Sequence, residues 1–170
     1  MRMIRELSKL FRKCQKYVWS TLAKRKVAEF GSSINVNKKS VFTRQTKLGS
    51  NVHFNGITIQ GKGRVTIGDN FHSGENILFI TQIHNYHGDK IPYDSTYIMK
   101  DIAIEENVWL GTNVTILGGV TIGEGAIIQA GSVVVNDIAP LSIAGGHPAK
   151  IFSQRDSKHY NTKKELGLFH

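Results

Sequence analysis

Aliphatic residues recur at every sixth position through the second half of this chain. Ile104, Leu110, Ile116, Ile122, Ile128 and Val134 form one unbroken series. Val108, Val114, Val120, Ala126, Ser132 and Ile138 form a second, with smaller side chains on average. Gly111 and Gly123 follow directly on members of the first. Val36, Phe42, Leu48 and Phe54 show the same step earlier; the phase then slips and resumes at Ile67-Gly68-Asp69-Asn70. A six-residue period is too long for strand alternation and does not divide into helical turns. It suits a short strand plus a turn, and three such units close a triangular coil of about eighteen residues. Stacking the coils buries the larger aliphatic row in a narrow prism. The smaller row sits near a corner, where Gly, Asn and Asp supply the backbone geometry. Accidental spacing in a β-sandwich does not account for two interleaved series of this length. The fold class expected is an all-β parallel solenoid over residues 29–152.

Parallel coils leave sheet edges open at both ends, and the flanking segments are suited to cover them. Residues 1–28 predict one amphipathic helix. Met3, Ile4, Leu7, Leu10, Phe11, Cys14, Tyr17, Val18, Thr21 and Leu22 make an apolar stripe, while Arg2, Arg5, Lys9, Arg12, Lys13 and Lys16 fill the remaining arc. The stripe has two candidate partners: the body or a neighbouring subunit, and an anionic lipid surface. In either packed case Cys14 is read as a buried small hydrophobe. After Pro148 the repeat ends; residues 153–170 are polar, with a short helix expected near residues 163–168.

Charge sharpens this division. The net charge is +9, yet residues 1–28 hold nine Lys/Arg against one Glu, and residues 29–170 hold thirteen against twelve Asp/Glu. A near-neutral body does not indicate nucleic-acid binding. The single cysteine excludes a disulfide framework and a cysteine-based zinc cluster. No apolar run is long enough to span a bilayer, and the basic N-terminus lacks the apolar stretch of a signal peptide. A cytoplasmic protein is expected, with peripheral contact at the inner membrane face as the second reading of residues 1–28. Between coils, residues 80–103 interrupt the repeat with His84, His87, Tyr86, Tyr93, Tyr97 and Pro92. A loop projecting from a rigid scaffold is where function collects.

The stretch Asn107-Val108-Trp109-Leu110-Gly111, followed by Gly119-Val120-Thr121-Ile122-Gly123, Ala130-Gly131-Ser132-Val133-Val134 and Ala144-Gly145-Gly146-His147-Pro148-Ala149-Lys150, resembles the hexapeptide-repeat acetyltransferases. Within them it is nearest to sugar O-acetyltransferases such as the galactoside and maltose enzymes. The likeness covers about residues 48–152 and is most specific from Trp109 to Lys150. It implies a left-handed parallel β-helix, a homotrimer, acetyl-CoA as co-substrate and no metal. The left hand comes from the resemblance alone, because parallel crossovers are generally right-handed. It also implies a saccharide acceptor, free or carrier-linked (lipid included), in surface-polysaccharide synthesis.

The resemblance places the catalytic His on His84 and the tryptophan of the active-site cleft on Trp109. It places backbone contacts to the pantetheine arm on Thr112 and Ala130, beside Gly111 and Gly131, and a phosphate contact on Lys150. The chain departs from the galactoside enzymes at Val135-Asn136, where they have Thr-Lys, so Asn136 stands where a basic CoA contact is expected. It also has His53, with Asn55 close by, where they have an acceptor-binding Asn. Asn85 and His87, next to His84, complete the implied acceptor side. The chemistry suits this set. A sugar hydroxyl is too weak an acid to attack a thioester as an alkoxide at neutral pH, and an imidazole can take the proton as attack occurs. His87 is the alternative base. A zinc site drawn from His53, His72, His84 and His87, as in a carbonic anhydrase-like relative, does not follow that family's spacing. An antibiotic-inactivating acetyltransferase is the runner-up function, and a non-catalytic scaffold is the more distant one.

Overall fold

The computed structural model describes residues 2–170. Helix α1 (Arg2–Lys26) leads into a stack of triangular coils. The first coil contributes β1 (Glu29–Phe30) and β2 (Ile34–Val36). The second holds β3 (Thr46–Leu48), β4 (Val52–Phe54) and β5 (Ile57–Gln60), and the third β6 (Val65–Ile67), β7 (His72–Ser73) and β8 (Ile77–Ile80). A hairpin of β9 (Gln82–His84) and β10 (Tyr97–Met99) then leaves the stack. The fourth coil holds β11 (Ile102–Ile104), β12 (Trp109–Leu110) and β13 (Thr115–Leu117), and the fifth β14 (Thr121–Ile122), β15 (Ile127–Ile128) and β16 (Val133–Val134). The chain closes with β17 (Ser142–Gly146), β18 (Ala149–Gln154) and α2 (Ser157–Glu165). The coils pair in parallel into three sheets, and β18 adds to the second one antiparallel to β17. Sheet A is β1-β3-β6-β11-β14, sheet B runs from β2 through β4, β7, β12 and β15 to β17 and β18, and sheet C is β5-β8-β13-β16. The parallel solenoid expected from the repeat is the fold.

Both six-residue series point inward. The larger one is fully buried from Ile104 to Val134, as are Val36, Phe42, Leu48 and Phe54. The smaller one is buried at the corners, Ser132 included. The phase slip has a local cause: the second coil is longer than the first, so Leu48 pairs with Ile67 and Ile59 with Phe79, where Val36 had paired with Phe54 eighteen residues on. The extra residues fall between Thr58 and Val65, and the interior row is undisturbed: Phe71 is buried against Phe54, 5.3 Å between centroids, and Phe79 is buried over Ile59.

The corner between sheets A and B turns through one left-handed residue per coil: Ser33, Asn51, Asn70, Asn107, Gly125 and Leu141, with φ between +53° and +68°. Asn suits this conformation, and stacking adds a second benefit. The Asn51 amide donates to Asn70 and the Asn70 amide to Asn107, each at 2.9 Å. The Asn107 amide donates to the Tyr160 hydroxyl, which donates to Glu124, each at 2.8 Å. Burial and the Glu124 carboxylate push the Tyr160 phenol up to about 12. This side-chain ladder ties α2 to the solenoid, and Lys164 adds ion pairs to Glu124 and Glu106.

Several expectations need correction. The C-terminal helix forms earlier than residues 163–168, because Asp156 caps it by accepting from the His159 N–H. Helix α1 does close the first coil: Ala23 and Val27 join the core, Trp19 packs against it, and the Ser20 hydroxyl accepts from the Val36 N–H. The apolar stripe, however, is not the face it uses. At 3.6 residues per turn, Ala23 lies on the side opposite Leu7, Leu10, Phe11 and Val18, Trp19 lies on the flank between, and Val27 follows just beyond the last turn. Cys14 accordingly is exposed. The inserted segment pinches shut inside the expected limits, where the Lys100 N–H donates to the Thr81 carbonyl at 2.9 Å.

The ladder generates a prediction. Asn70→Ala removes two side-chain hydrogen bonds and places a Cβ residue without a local partner in the left-handed region. It should cost about 2–3 kcal/mol in a denaturant titration. Asn70→Gly keeps the backbone conformation at no steric cost and should recover roughly half of that loss.

Candidate functional site

The candidate residues fall in three places on the prism. The first is the hairpin at the corner where sheet C passes to sheet A. His84 ends β9 and is exposed. Its ring stacks on Tyr93 at 3.9 Å between centroids and 18° between planes, and lies tilted against Tyr97 at 4.7 Å. Tyr97 is its cross-strand partner in β10. Among the described residues no hydrogen bond occupies either imidazole nitrogen of His84. The loop beyond is stiffened from within. The Asp94 carboxylate accepts from the Thr96 N–H and hydroxyl and from the Asp89 N–H, contacts that hold it below the usual carboxylate range. Gly88 lies so close to Asp94 that a side chain there would displace the carboxylate. Asn85 is spent in the same framework, donating to the Thr96 hydroxyl at 3.0 Å and accepting from the His87 N–H at 3.0 Å. His87 is exposed and rests on Tyr86 at 4.2 Å.

The second place is the outer face of sheet B. Register stacks Asn35, His53, His72 and Trp109 in one column. His53 and His72 lie face to face, 4.3 Å apart and 12° from parallel. Trp109 is 54% exposed. The C-terminal tail folds back over this column: the Asn51 amide donates to the His170 carbonyl at 2.9 Å, and the His170 ring meets His72 at 4.9 Å. A cleft of about 350 Å³ remains between Trp109, His72, α2 and Phe169. His53 Nε2 lies 3.1 Å from Asn51 Oδ1 and 3.2 Å from Asn35 Nδ2. Burial, then His72, Lys16 and His170, pull the His53 imidazole down to about 4. His72 is lowered as well, first by burial, and its Nε2 is enclosed without a partner among the described residues.

The third place is the corner between sheets B and C. Gly111 and Thr112 stack beneath Ala130 and Gly131. A Cβ on Gly111 would come within 2.5 Å of the Ala130 nitrogen, so the close approach of the two coils requires glycine there. Thr112, Ala130 and Gly131 are exposed, and Gly131 has open space about it. This corner offers an extended ligand a strip of backbone with few side chains. Asn55 lies on the same edge, but its amide donates to the Ser73 carbonyl and its oxygen accepts from Asn37. Asn136 is exposed on the C-to-A corner, and Lys150 is exposed on β18.

Sheet B is the face opposite the corner that carries the hairpin. One chain therefore does not bring His84 against Trp109, Thr112 or Ala130. Nor do the four histidines gather: His53 and His72 lie on sheet B, and His84 and His87 on the hairpin. Three further side chains border these candidates without a sequence signal of their own. In sequence Tyr93 and Tyr97 are loop aromatics, and their contact with His84 depends on hairpin register. His170 is brought in by the returning tail, for which no local signal exists.

The depressed histidines predict a pH dependence with a definite sign. Their folded-state values lie below the ordinary 6.5, so the unfolded chain binds more protons between about 6.5 and 4. Stability should be fully present above that window and fall as pH drops through it. His53→Asn should flatten the decline, as followed by thermal unfolding across the window.

Comparison with known proteins accords with this geometry. A model of the bacterial transferase hexapeptide family (six repeats) matches residues 101–136. Galactoside O-acetyltransferase of Escherichia coli (strain K12) is 38% identical over 126 residues, 68% of this chain and 61% of that protein. The chain spans between half and two thirds of the length of the curated relatives it matches. A crystal structure of a hexapeptide-repeat containing acetyltransferase from Vibrio cholerae is 30% identical, with a TM-score of 0.62 over 76% of this chain and 72% of that one. The structure of that acetyltransferase complexed with acetyl-coenzyme A is 29% identical, with a TM-score of 0.68 over 80% and 76%. A galactoside acetyltransferase in complex with coenzyme A is 25% identical, with a TM-score of 0.67 over 89% and 82%. Solenoid, repeat and relatives together show that the chain belongs to the hexapeptide-repeat transferase family.

Proposed function

We propose that this protein transfers the acetyl group of acetyl-CoA to a saccharide hydroxyl, with His84 as general base, at sites formed between subunits of a homotrimer. The observation that carries the reading is His84 itself. It is an exposed imidazole with free nitrogens, held by two tyrosines on a stiff hairpin that the solenoid does not need. Family membership supports the donor, since one solved relative is complexed with acetyl-CoA. The name of a galactoside-acetylating relative supports a sugar acceptor. Surface-polysaccharide synthesis, with a free or carrier-linked glycan, is the setting we propose for it.

Acetyl-CoA supplies an activated thioester, so no covalent enzyme intermediate is needed. The exposed backbone strip at Gly111, Thr112, Ala130 and Gly131 would hold the pantetheine arm, and Lys150 would meet a phosphate; Asn136 adds no charge. His84 accepts the acceptor's hydroxyl proton as that oxygen adds to the thioester carbonyl carbon. It returns the proton to the departing sulfur as the carbon–sulfur bond breaks. Trp109 walls the cleft, and His53, Asn55, Asn85 and His87 belong on the acceptor side. Of these, Asn55 and Asn85 act by shaping the backbone, because their amides are already engaged.

His84→Ala should lower turnover by about 100- to 10,000-fold while leaving CoA binding and oligomer mass unchanged. Free thiol release, calorimetry with CoA and sedimentation measure the three quantities. Activity within a few-fold of wild type, with His87→Ala inactive, would move the base to His87. Tyr93→Phe should keep most of the rate and Tyr93→Ala should lose kcat more than KM, because the ring face positions the imidazole.

The intersubunit site has its own test. If His84 comes from one subunit and Trp109 from the next, co-refolding inactive His84→Ala with inactive Trp109→Ala should restore about a quarter of wild-type activity by random assortment. No recovery from mixed oligomers would place both residues in one chain's site.

A further inference from the structure

Helix α1 meets the body with only its last turns. Every residue from 3 to 14 is exposed; of the packed residues, Ala23 lies opposite the apolar stripe, Trp19 on its flank, and Val27 just past the end of the helix. Met3, Ile4, Leu7, Leu10, Phe11, Tyr17, Val18 and Leu22 all face water, Phe11 at 68% and Leu7 at 60%. A continuous apolar strip of this length is far more than scattered surface hydrophobics and marks a docking face. The opposite arc carries Arg5, Lys9, Arg12, Lys13 and Lys16, with Glu6 paired to Lys9. No helix of the described residues is long and apolar enough to cross a membrane.

We propose that residues 3–22 lie flat on an anionic lipid leaflet, with the apolar stripe at the acyl boundary and the Lys/Arg side chains reaching the headgroups. The pattern is that of an interfacial helix: large apolar residues on one side, basic residues on the other. Charge complementarity selects lipid over a second copy of the chain. Two such segments laid side by side repel, and the body, with thirteen Lys/Arg against twelve Asp/Glu, carries no net negative charge to offset this. Among the described residues, Glu29, Glu75, Asp101, Glu106 and Glu124 are ion-paired within the body. Asp69, Asp94, Glu105, Asp137 and Asp156 accept from backbone N–H groups. Only Asp89 and Glu165 lie outside these contacts. An anionic leaflet supplies the missing charge over the whole arm, since each basic side chain near it adds attraction that salt screens. The inference rests on the helix and not on the acetyl-transfer reading, so a failure of either leaves the other standing.

The test is co-sedimentation of the full chain with two kinds of vesicle, neutral phosphatidylcholine and the same lipid with about a third phosphatidylglycerol. The protein should pellet with the anionic vesicles at low salt, with partitioning about tenfold or more weaker at high salt and on neutral vesicles. Leu7→Ser/Phe11→Ser should lower anionic binding by about tenfold or more. Its sedimentation mass and unfolding transition should not change, because neither side chain touches the body. Three results overturn the proposal. One is protein left in the supernatant with anionic vesicles at low salt, and another is equal binding to neutral vesicles. The third is a change of oligomeric mass in the double variant, which assigns the stripe to a second copy.

Discussion

Backbone hydrogen bonds in the solenoid run mainly between coils rather than within them, and that one constraint fixes nearly everything else in it. A residue that starts a strand in one coil must lie over its counterpart in the next, so the aliphatic row stays inside and the corners stay aligned. Left-handed residues at the corners are what allow three short strands to close. Where those residues are Asn, the amides of Asn51, Asn70 and Asn76 each donate to the Asn of the next coil, and that of Asn107 donates to Tyr160. The conformational cost of the corner is offset by the contact that stacking creates. The same register also produces the outward column of Asn35, His53, His72 and Trp109. Nothing local asks two imidazoles to lie 4.3 Å apart; the coil length does.

A solenoid of this kind admits an insertion only where the chain can leave and return within one corner. Thr81 and Lys100 form that neck. The Thr81 hydroxyl donates to the Gln60 carbonyl and accepts from the Gly63 N–H, while its own carbonyl receives the Lys100 N–H. The coils on either side then pair as though nothing intervened, Val65 with Ile102 and Ile67 with Ile104. A chemically useful group can therefore be carried outside the core without disturbing it. Precision comes from the hairpin's own contacts, chiefly Asp94 and Asn85, and from the tyrosines against His84. A group held by packing on a rigid element is positioned far better than one on a slack loop.

The interior was legible because its physics is local and repeated: a buried aliphatic every six residues leaves the same mark each time. Trp109, Gly111 and the inserted loop stood out as departures from that mark. What stayed hidden depends on relations between distant segments. The helical period of α1 shows that a stripe exists, but Ala23 and Val27, ordinary in sequence, carry the packing instead. The start of α2 is set by one capping carboxylate, Asp156, against the weak preferences of a polar tail. The return of His170 over His72 follows from Tyr160 and Lys164 anchoring α2 to Glu124, an ion-pair and hydrogen-bond choice that no periodicity encodes.

A triangular prism also explains why one chain holds its candidate residues apart. The hairpin can stand only at a corner, and the corner it occupies faces away from sheet B. On the proposed chemistry, the base and the cleft wall must then come from different copies. A contact between the corner of one prism and the face of the next is heterologous: each copy gives one surface and receives the other. Repeated without closure, such a contact builds a filament; closed by rotation, it builds a ring. The geometry that the six-residue repeat imposes on one chain thus sets the terms on which copies of it can complete a site.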